Sequence, residues 1–234
     1  MTEPDWLNAT APFPMLEFLC GKATNRKRIL FGIACCRAIW ERFVDPRCRK
    51  AVEATEGVIQ GVTSKSEVES SWLAGHEAIL QATDKGGPRA AFGVSNTAWR
   101  FYDRLGDIAA PEGSFTNEGE VVDSILAVSF DAAEASQPMT AQMLELHCQF
   151  LRCLFGNPFR LVPALDRDWL RWNNDTAAHL AQGIYDERAF DRLPVLADAL
   201  EDAGCDDADV LAHCRSGGVH VRGCWVVDSI LGKS

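Results

Sequence analysis

The segment RILFGIACCRAIWERF, residues 28–43, is apolar on nearly every side of a helix, and it decides the fold. A helix without a polar face has to be buried all round. We therefore predict that a helix beginning at Asn25 is the central buried element of the protein. The Asp45-Pro46 pair ends it, and Pro46 suits the first turn of the next helix.

Outward from this segment, helical periodicity continues in both directions and is interrupted by glycine, proline and capping residues. Ser64 and Glu67 form a capping-box pattern, and Gly156 and Pro158 within FGNPF end a helix. No stretch alternates as a half-buried strand does. The sequence predicts an all-α fold without a sheet: one compact bundle or array of about ten helices, forming a single domain over 1–234. The predicted helices cover 14–19, 25–44, 46–59, 64–80, 88–102, 120–134, 138–154, 175–187, 193–203, 208–215 and 219–231, with a long surface loop near 106–119.

The charge balance disfavours two classes of partner. The 234 residues include 23 Lys and Arg against 33 Asp and Glu, a net charge of −10, so the surface repels phosphate backbones and predicts no nucleic-acid partner. No apolar run reaches the ~20 residues that a membrane span needs. The first residues also lack the basic and apolar regions of a secretory signal. We expect a cytoplasmic protein with no membrane partner.

The nine cysteines are the residues of this sequence that indicate a chemical function. A reducing cytoplasm disfavours disulfides, so such thiols either pack in the core or serve as ligands and nucleophiles. Phosphate-loop, dinucleotide-binding, GxSxG and HExxH motifs do not occur in the chain. We predict no catalytic residues and expect an electron carrier or binding protein. The cysteines are Cys20, Cys35, Cys36, Cys48, Cys148, Cys153, Cys205, Cys214 and Cys224.

The tandem pair Cys35-Cys36 favours an iron–sulfur cluster over a single zinc ion. Neighbouring side chains on a helix diverge by about 100°. Two thiolates on one zinc must approach to about 3.8 Å, whereas the corners of an iron–sulfur cube accept thiolates further apart. We predict a quartet of ligands comprising this pair with Cys214 and Cys224, which flank a Gly-Gly turn, and with Cys205 in reserve.

Core packing is the alternative explanation for every one of these thiols, because cysteine is among the most buried residue types. Cys20, Cys48 and Cys153 are assigned to packing. His147-Cys148 together with Cys153 forms a weaker third group.

The chain resembles a family of all-helical proteins from planctomycete bacteria, which is similar to the alphaferredoxin-like iron–sulfur proteins. The resemblance is carried by PMLEFLCGKATNRKRILFGIACCRAIW, FGNPF and the C-terminal block that contains LAHCRSGGVHVRGCW. It covers both ends of the chain but not 58–136, and the chain departs from the family at Ile33, where relatives have a further cysteine. The resemblance implies a [4Fe–4S] cluster on Cys35, Cys36, Cys214 and Cys224. It also implies ferredoxin-like electron transfer, which the acidic surface would suit by docking to a basic redox partner.

Two further functions remain open at this point. A structural zinc site would use fewer adjacent thiols and would recruit His213 or His220. A metal-free helical interaction module would use its thiols only for packing.

Overall fold

The computed structural model describes residues 1–81, 141–160 and 165–233, and within these residues the protein is all-α with no strand, as predicted. Short 3₁₀ turns lie at Trp40–Arg42 and Phe190–Arg192. The ten α-helices of the described residues are α1 (Glu3–Asn8), α2 (Phe13–Phe18), α3 (Asn25–Ala38), α4 (Pro46–Ile59), α5 (Lys65–Gln81), α6 (Ala141–Phe155), α7 (Arg167–Glu187), α8 (Leu193–Asp202), α9 (Ala208–Arg215) and α10 (Trp225–Leu231).

Capping residues set several helix ends where the sequence predicts them. Asp45 accepts a hydrogen bond from the Arg47 backbone N–H at 2.9 Å at the start of α4. At the start of α5, the Glu67 carboxylate accepts the Ser64 backbone N–H at 2.9 Å and the Ser64 hydroxyl accepts the Glu67 backbone N–H at 3.4 Å, which together form the predicted capping box. The predicted helices at 88–102 and 120–134 and the predicted loop at 106–119 lie outside the described residues.

Several helices differ from the prediction. Helix α1 was not predicted, and α3 ends at Ala38 rather than near 44. A kink divides α7: its second part begins after Asp175, close to the predicted start at 175, and its first part, from Arg167, was not predicted. Residues Asn173, Asn174 and Asp175 interrupt α7 with positive φ angles of 47°, 60° and 59°. The last helix begins at Trp225 and not at 219, because Gly223 has a φ of 93° that a right-handed helix cannot include.

The chain divides into two compact units. A single domain over 1–234 stays a prediction. The first unit comprises Met1 and the described residues of Asn8–Cys148. In it, α3 is buried from Arg28 to Cys36 and packs on α4, which confirms that this helix lies in the core. An ion pair between Arg37 and the buried Glu56 joins α3 to α4.

The second unit comprises Thr2–Leu7 and Gln149–Ser234, and it has its own apolar core. Helices α7, α8 and α10 contribute apolar residues at helical spacing, and α6 and α9 contribute thiols. The fully buried members include Ala177, Ala181, Ile184, Leu193, Leu196, Leu200, Val210, Val226 and Val227.

The N-terminal helix fixes the end of α6 within the second unit. The Trp6 indole N–H donates to the Gly156 carbonyl oxygen at 3.0 Å, and the Arg152 Nε–H donates to the Trp6 carbonyl oxygen at 3.2 Å. The Arg160 guanidinium pairs with Glu3 on one side and with Asp209 of α9 on the other. These contacts hold the last turn of α6 in place relative to α9.

Gly156 is required at the end of α6 for two reasons. Its φ is 63°, in the left-handed region that favours glycine. A Cβ atom at this position would lie 3.2 Å from three atoms of the Trp225 indole, so the backbone and the ring approach closely. The turn after α6 is therefore packed directly against the first residue of α10.

Within the described ranges, no helix is both long enough and apolar enough to cross a bilayer.

Candidate metal centre

Four side chains of the second unit converge with the donor atoms that a transition metal prefers. Cys153, His213, His220 and Cys224 each direct a sulfur or ring nitrogen to a common point, and these four atoms all lie within 4.8 Å of one another. Both cysteines are buried, and both histidines are half-buried. Two thiols and two imidazoles form the Cys2His2 donor set of structural zinc sites. The group could therefore hold a metal ion.

The four donors come from three separate segments of the chain. Cys153 lies in the last turn of α6, and His213 lies in the last turn of α9. His220 and Cys224 belong to the irregular segment 216–224 that joins α9 to α10, with Cys224 immediately preceding α10. The predicted helix over 219–231 would have placed His220 and Cys224, four residues apart, on one face. The helix begins only at Trp225, and the loop brings the two residues to the same group.

Hydrogen bonds fix the segment 216–224 against the neighbouring helices. The Val221 backbone N–H donates to the Cys153 sulfur at 3.3 Å. The Arg222 guanidinium donates to the carbonyl oxygens of Tyr185 and Asp186, at 3.0 and 3.2 Å, near the end of α7. A cation at a helix C-terminus is favourable because the last carbonyls are unpaired and carry partial negative charge. The loop is thereby held with its donors facing Cys153.

The distances between donors agree with a single tetrahedral ion. The His213 Nε2 and Cys224 Sγ atoms are 3.2 Å apart, and the Cys153 Sγ and His220 Nδ1 atoms are 3.7 Å apart. A tetrahedral zinc with bonds of about 2.3 Å to sulfur and about 2.05 Å to nitrogen requires sulfur–nitrogen separations of roughly 3.5 Å. The two observed separations lie on either side of that value.

Electrostatics distinguishes Cys224 from its buried neighbour Cys214. Burial raises the pKa of Cys224, but hydrogen bonds from Cys153, His213 and His220 outweigh burial and bring the pKa well below its ordinary value. Burial, with the nearby Cys224 and Cys205 sulfurs, raises the pKa of Cys214 to about 12. Metal ions bind the thiolate form of cysteine. The surroundings of Cys224 therefore favour its thiolate, whereas those of Cys214 favour its thiol.

Ser216 connects the two histidines on the side away from the thiols. Its hydroxyl donates to the His213 carbonyl oxygen at 2.8 Å and lies 3.3 Å from His220 Nε2. The Ser216 carbonyl oxygen is 3.4 Å from the same nitrogen. An Nε2–H donated here leaves Nδ1 of His220 as the unprotonated nitrogen facing Cys153. Histidine ligands of metals generally donate their second ring N–H in this way.

Replacing Ser216 with Ala is expected to weaken the affinity of this group for an added metal ion such as zinc by about 10-fold, within the range found when such supporting contacts are removed. The loss should be modest because the Ser216 carbonyl oxygen still accepts from His220. A competition titration against a chromogenic chelator would measure it. Ser229→Ala is a matched control, because that hydroxyl donates within α10 to the Trp225 carbonyl oxygen. An equal loss in both variants would contradict a role for Ser216 in orienting His220.

The predicted cluster ligands are divided between the two units. Cys35 and Cys36 are buried in α3 of the first unit, and Cys214 and Cys224 are buried in the second. Cys224 is the one member of the predicted quartet within the four-residue group. The quartet as a whole stays a prediction.

The remaining predicted residues have the following places. The two histidines named for the zinc alternative, His213 and His220, both belong to the group. The reserve residue Cys205 is buried in the core of the second unit, outside the group. Cys48 is buried in α4, as expected of a packing thiol, whereas Cys20 is exposed.

Cys153 is the one donor of this group that was not predicted as a ligand, because it was assigned to core packing. It lies among the apolar residues Phe150, Leu151, Leu154 and Phe155, a context typical of a core thiol, and 60 residues before His213. Its hydrogen bond from Val221 and its place beside His220 arise only from folding. Three of the donors, His213, His220 and Cys224, lie within 12 residues of sequence. A tetrahedral site needs a fourth ligand, and this pattern was the signal to look for one in another part of the chain.

Comparisons with protein-family models, with curated proteins and with solved structures found no match to this chain.

Proposed function

We propose that the protein binds one zinc ion through Cys153, His213, His220 and Cys224, and that this ion stabilises its second unit. The single observation that supports the proposal is the convergence of these four donor atoms within 4.8 Å. Four protein ligands close the coordination sphere of zinc, which is the arrangement of structural sites. Catalytic zinc sites keep one position for water or substrate.

The charge of this donor set also suits zinc in a buried place. Two thiolates and two neutral imidazoles balance the charge of a divalent cation, so the complex carries no net charge. Burial of an uncompensated charge is costly, and a neutral centre avoids that cost. The thiolates lie on the buried side, with Cys224 at 0% and Cys153 at 2% exposure.

The structural role follows from which segments the ion would join. The end of α6, the end of α9 and the loop before α10 supply the ligands. The loop 216–224 has no helical hydrogen-bond ladder of its own, so coordination through His220 and Cys224 would restrain it at two points. Zinc bound in the folded state and not in the unfolded chain contributes its binding free energy to stability.

A [4Fe–4S] electron carrier is the second candidate. The observation that favours it is a concentration of thiols: Cys153, Cys205, Cys214 and Cys224 all belong to one core cluster of the second unit. The resemblance to alphaferredoxin-like proteins supports the same candidate and adds Cys35 and Cys36 as ligands. Such a carrier would dock a basic redox partner through its acidic surface.

Metal analysis of protein purified without oxygen separates the two candidates. We expect about one zinc per chain, no acid-labile sulfide and no visible absorption, because the group accommodates a single tetrahedral ion. Iron with an equal amount of sulfide would support the cluster instead. Absence of both metals after incubation with zinc would overturn both candidates and leave a metal-free helical module.

Cys214→Ser sharpens the comparison. Cys214 lies outside the four-residue group but inside the predicted cluster quartet. If the protein binds zinc through the four-residue group, the variant retains its metal. If it holds the cluster, the variant loses the cluster. Cys48→Ser in the first unit is the control that neither candidate expects to change.

A further inference from the structure

The two thiols of the zinc group are close enough to react with each other. We propose that the group is also an oxidant-sensitive switch, in which a peroxide joins Cys153 to Cys224 through a disulfide and expels the zinc. This inference rests on the proposed zinc site. It adds a regulation of that site, namely release of the metal in response to hydrogen peroxide or an organic hydroperoxide.

The geometry places the two sulfurs near bonding distance. Their Sγ atoms lie within the 4.8 Å that bounds the group, and a hydrogen bond joins the Cys153 side chain to Cys224. A disulfide has a sulfur–sulfur length of about 2.05 Å, so the sulfurs have to approach by about 3 Å at most. The two side chains are already joined by a hydrogen bond, so no other segment has to leave the space between them.

The backbone around Cys224 allows this approach. Cys224 lies at the end of the irregular segment 216–224 and directly follows Gly223, whose φ is 93°. Cys153, in contrast, lies in the last turn of α6, which Trp6 and Arg152 fix through the Gly156 turn. We expect Cys224 to approach Cys153 by a local shift next to Gly223, while the hydrogen bonds of Val221 and Arg222 keep the rest of the loop in place and α6 does not move.

The reaction is balanced with peroxide as the oxidant. One thiolate attacks a peroxide oxygen, the O–O bond breaks, and a sulfenic acid and hydroxide result. The second thiolate attacks the sulfenic sulfur, so that the S–S bond forms and a second hydroxide leaves. Two protons from solvent convert the hydroxides to water when the oxidant is hydrogen peroxide. The two sulfurs lose two electrons in total, and the peroxide gains them.

Loss of the metal follows from loss of the thiolates. A disulfide sulfur carries no negative charge and is a poor ligand for zinc, since the thiolate is the metal-binding form. Only His213 and His220 remain, and both are half-buried, so water can replace the thiolates on the ion. The half-buried edge formed by the two imidazoles is also the side from which a small peroxide can reach the sulfurs.

The pair should be specific among the buried thiols of the second unit. Cys205 and Cys214 lie in the same core as Cys153 and Cys224, but they are outside the zinc group. The Cys214 sulfur lies near those of Cys205 and Cys224, but neither Cys205 nor Cys214 is held as a thiolate by the proposed metal. A disulfide between Cys153 and Cys224 is therefore the expected product.

The test uses the full chain, loaded with zinc and freed of excess metal. Its zinc content is measured first; then hydrogen peroxide is added in steps while a chromogenic indicator reports released zinc. Digestion without reduction, followed by mass spectrometry, identifies the disulfide. We expect release of one zinc per chain together with a peptide that joins Cys153 to Cys224. Thiol reductant with fresh zinc should reverse both changes.

Each outcome has a separate meaning. A chain that holds no zinc at the start overturns the zinc site and the switch together. A chain that holds zinc but keeps it under peroxide, or releases it with only sulfinic acid or with a Cys205–Cys214 bond, overturns the switch and leaves the zinc site standing. Cys205→Ser should respond like the original chain. Cys20→Ser, which removes the exposed thiol, should also respond alike if the bond is within one molecule.

Discussion

Replacing Cys224 with Ser is expected to abolish stoichiometric zinc binding. Removal of a contact that only supports a ligand costs about 10–100-fold in metal affinity, so loss of a direct ligand should exceed 100-fold. Cys224 has the strongest position in the group, because Cys153, His213 and His220 all hydrogen-bond its sulfur and lower its pKa. A serine hydroxyl is not ionised at neutral pH and cannot replace the thiolate. Competition titration with a chelator of known affinity would measure the loss.

Cys205→Ser is the matched control for this variant. Cys205 is also a buried cysteine of the second unit, exposed by only 3%, but it lies outside the group. Zinc binding should be retained there, and circular dichroism should show that both variants remain helical. If Cys224→Ser is well folded and still binds zinc as tightly as the original chain, Cys224 is not a ligand and the proposed site is wrong.

Removing zinc with a chelator is expected to lower the thermal stability of the protein without unfolding it at room temperature. A ligand present at about 1,000 times its dissociation constant stabilises the folded state by about 4 kcal/mol. For a unit of this size, about 4 kcal/mol corresponds to a change in Tm of at least ~10 °C. The second unit has an extensive apolar core of its own, so it should stay folded without metal.

Hydrogen exchange would show where this stabilisation acts. Without zinc, amide exchange should rise in 208–224, which contains three of the four ligands, and should change little in α4 of the first unit. Re-addition of zinc should restore the protection, whereas magnesium, which prefers oxygen ligands, should not. An unchanged Tm, or an equal rise of exchange in α4, would contradict a local structural role.

Much of the fold could be predicted because its signals are local. Asp45 and Pro46 mark the start of α4 through a cap and a fixed φ angle, and the structure has α4 at the predicted residues. The apolar surround of α3 predicts its burial. The part of α7 after its kink begins near the predicted residue 175, whereas the part before the kink, from Arg167, was not predicted. Asn173 and its two neighbours adopt the left-handed conformations that separate the two parts.

The candidate site was predictable only where its ligands are close in sequence. His213, His220 and Cys224 lie within one short segment and were all named: Cys224 as a ligand of the predicted cluster, and the two histidines for the zinc alternative. Cys153 approaches them because α1 and α9 fix the end of α6, and no pattern in the chain records that contact. The tandem cysteines Cys35 and Cys36 suggested a pair of ligands because they are neighbours in sequence. Neighbours in sequence need not lie close to the other ligands in space.

The contact between Gly156 and the Trp225 indole has a consequence for how this protein can change in evolution. Gly156 lies three residues after Cys153, and Trp225 directly follows Cys224, so this contact adjoins both thiols in the chain. An alanine at 156 would strain the left-handed backbone and would require the ring to shift by a few tenths of an ångström, although it removes no donor. The surroundings of the proposed site can therefore be disturbed by a substitution that changes none of its four donors.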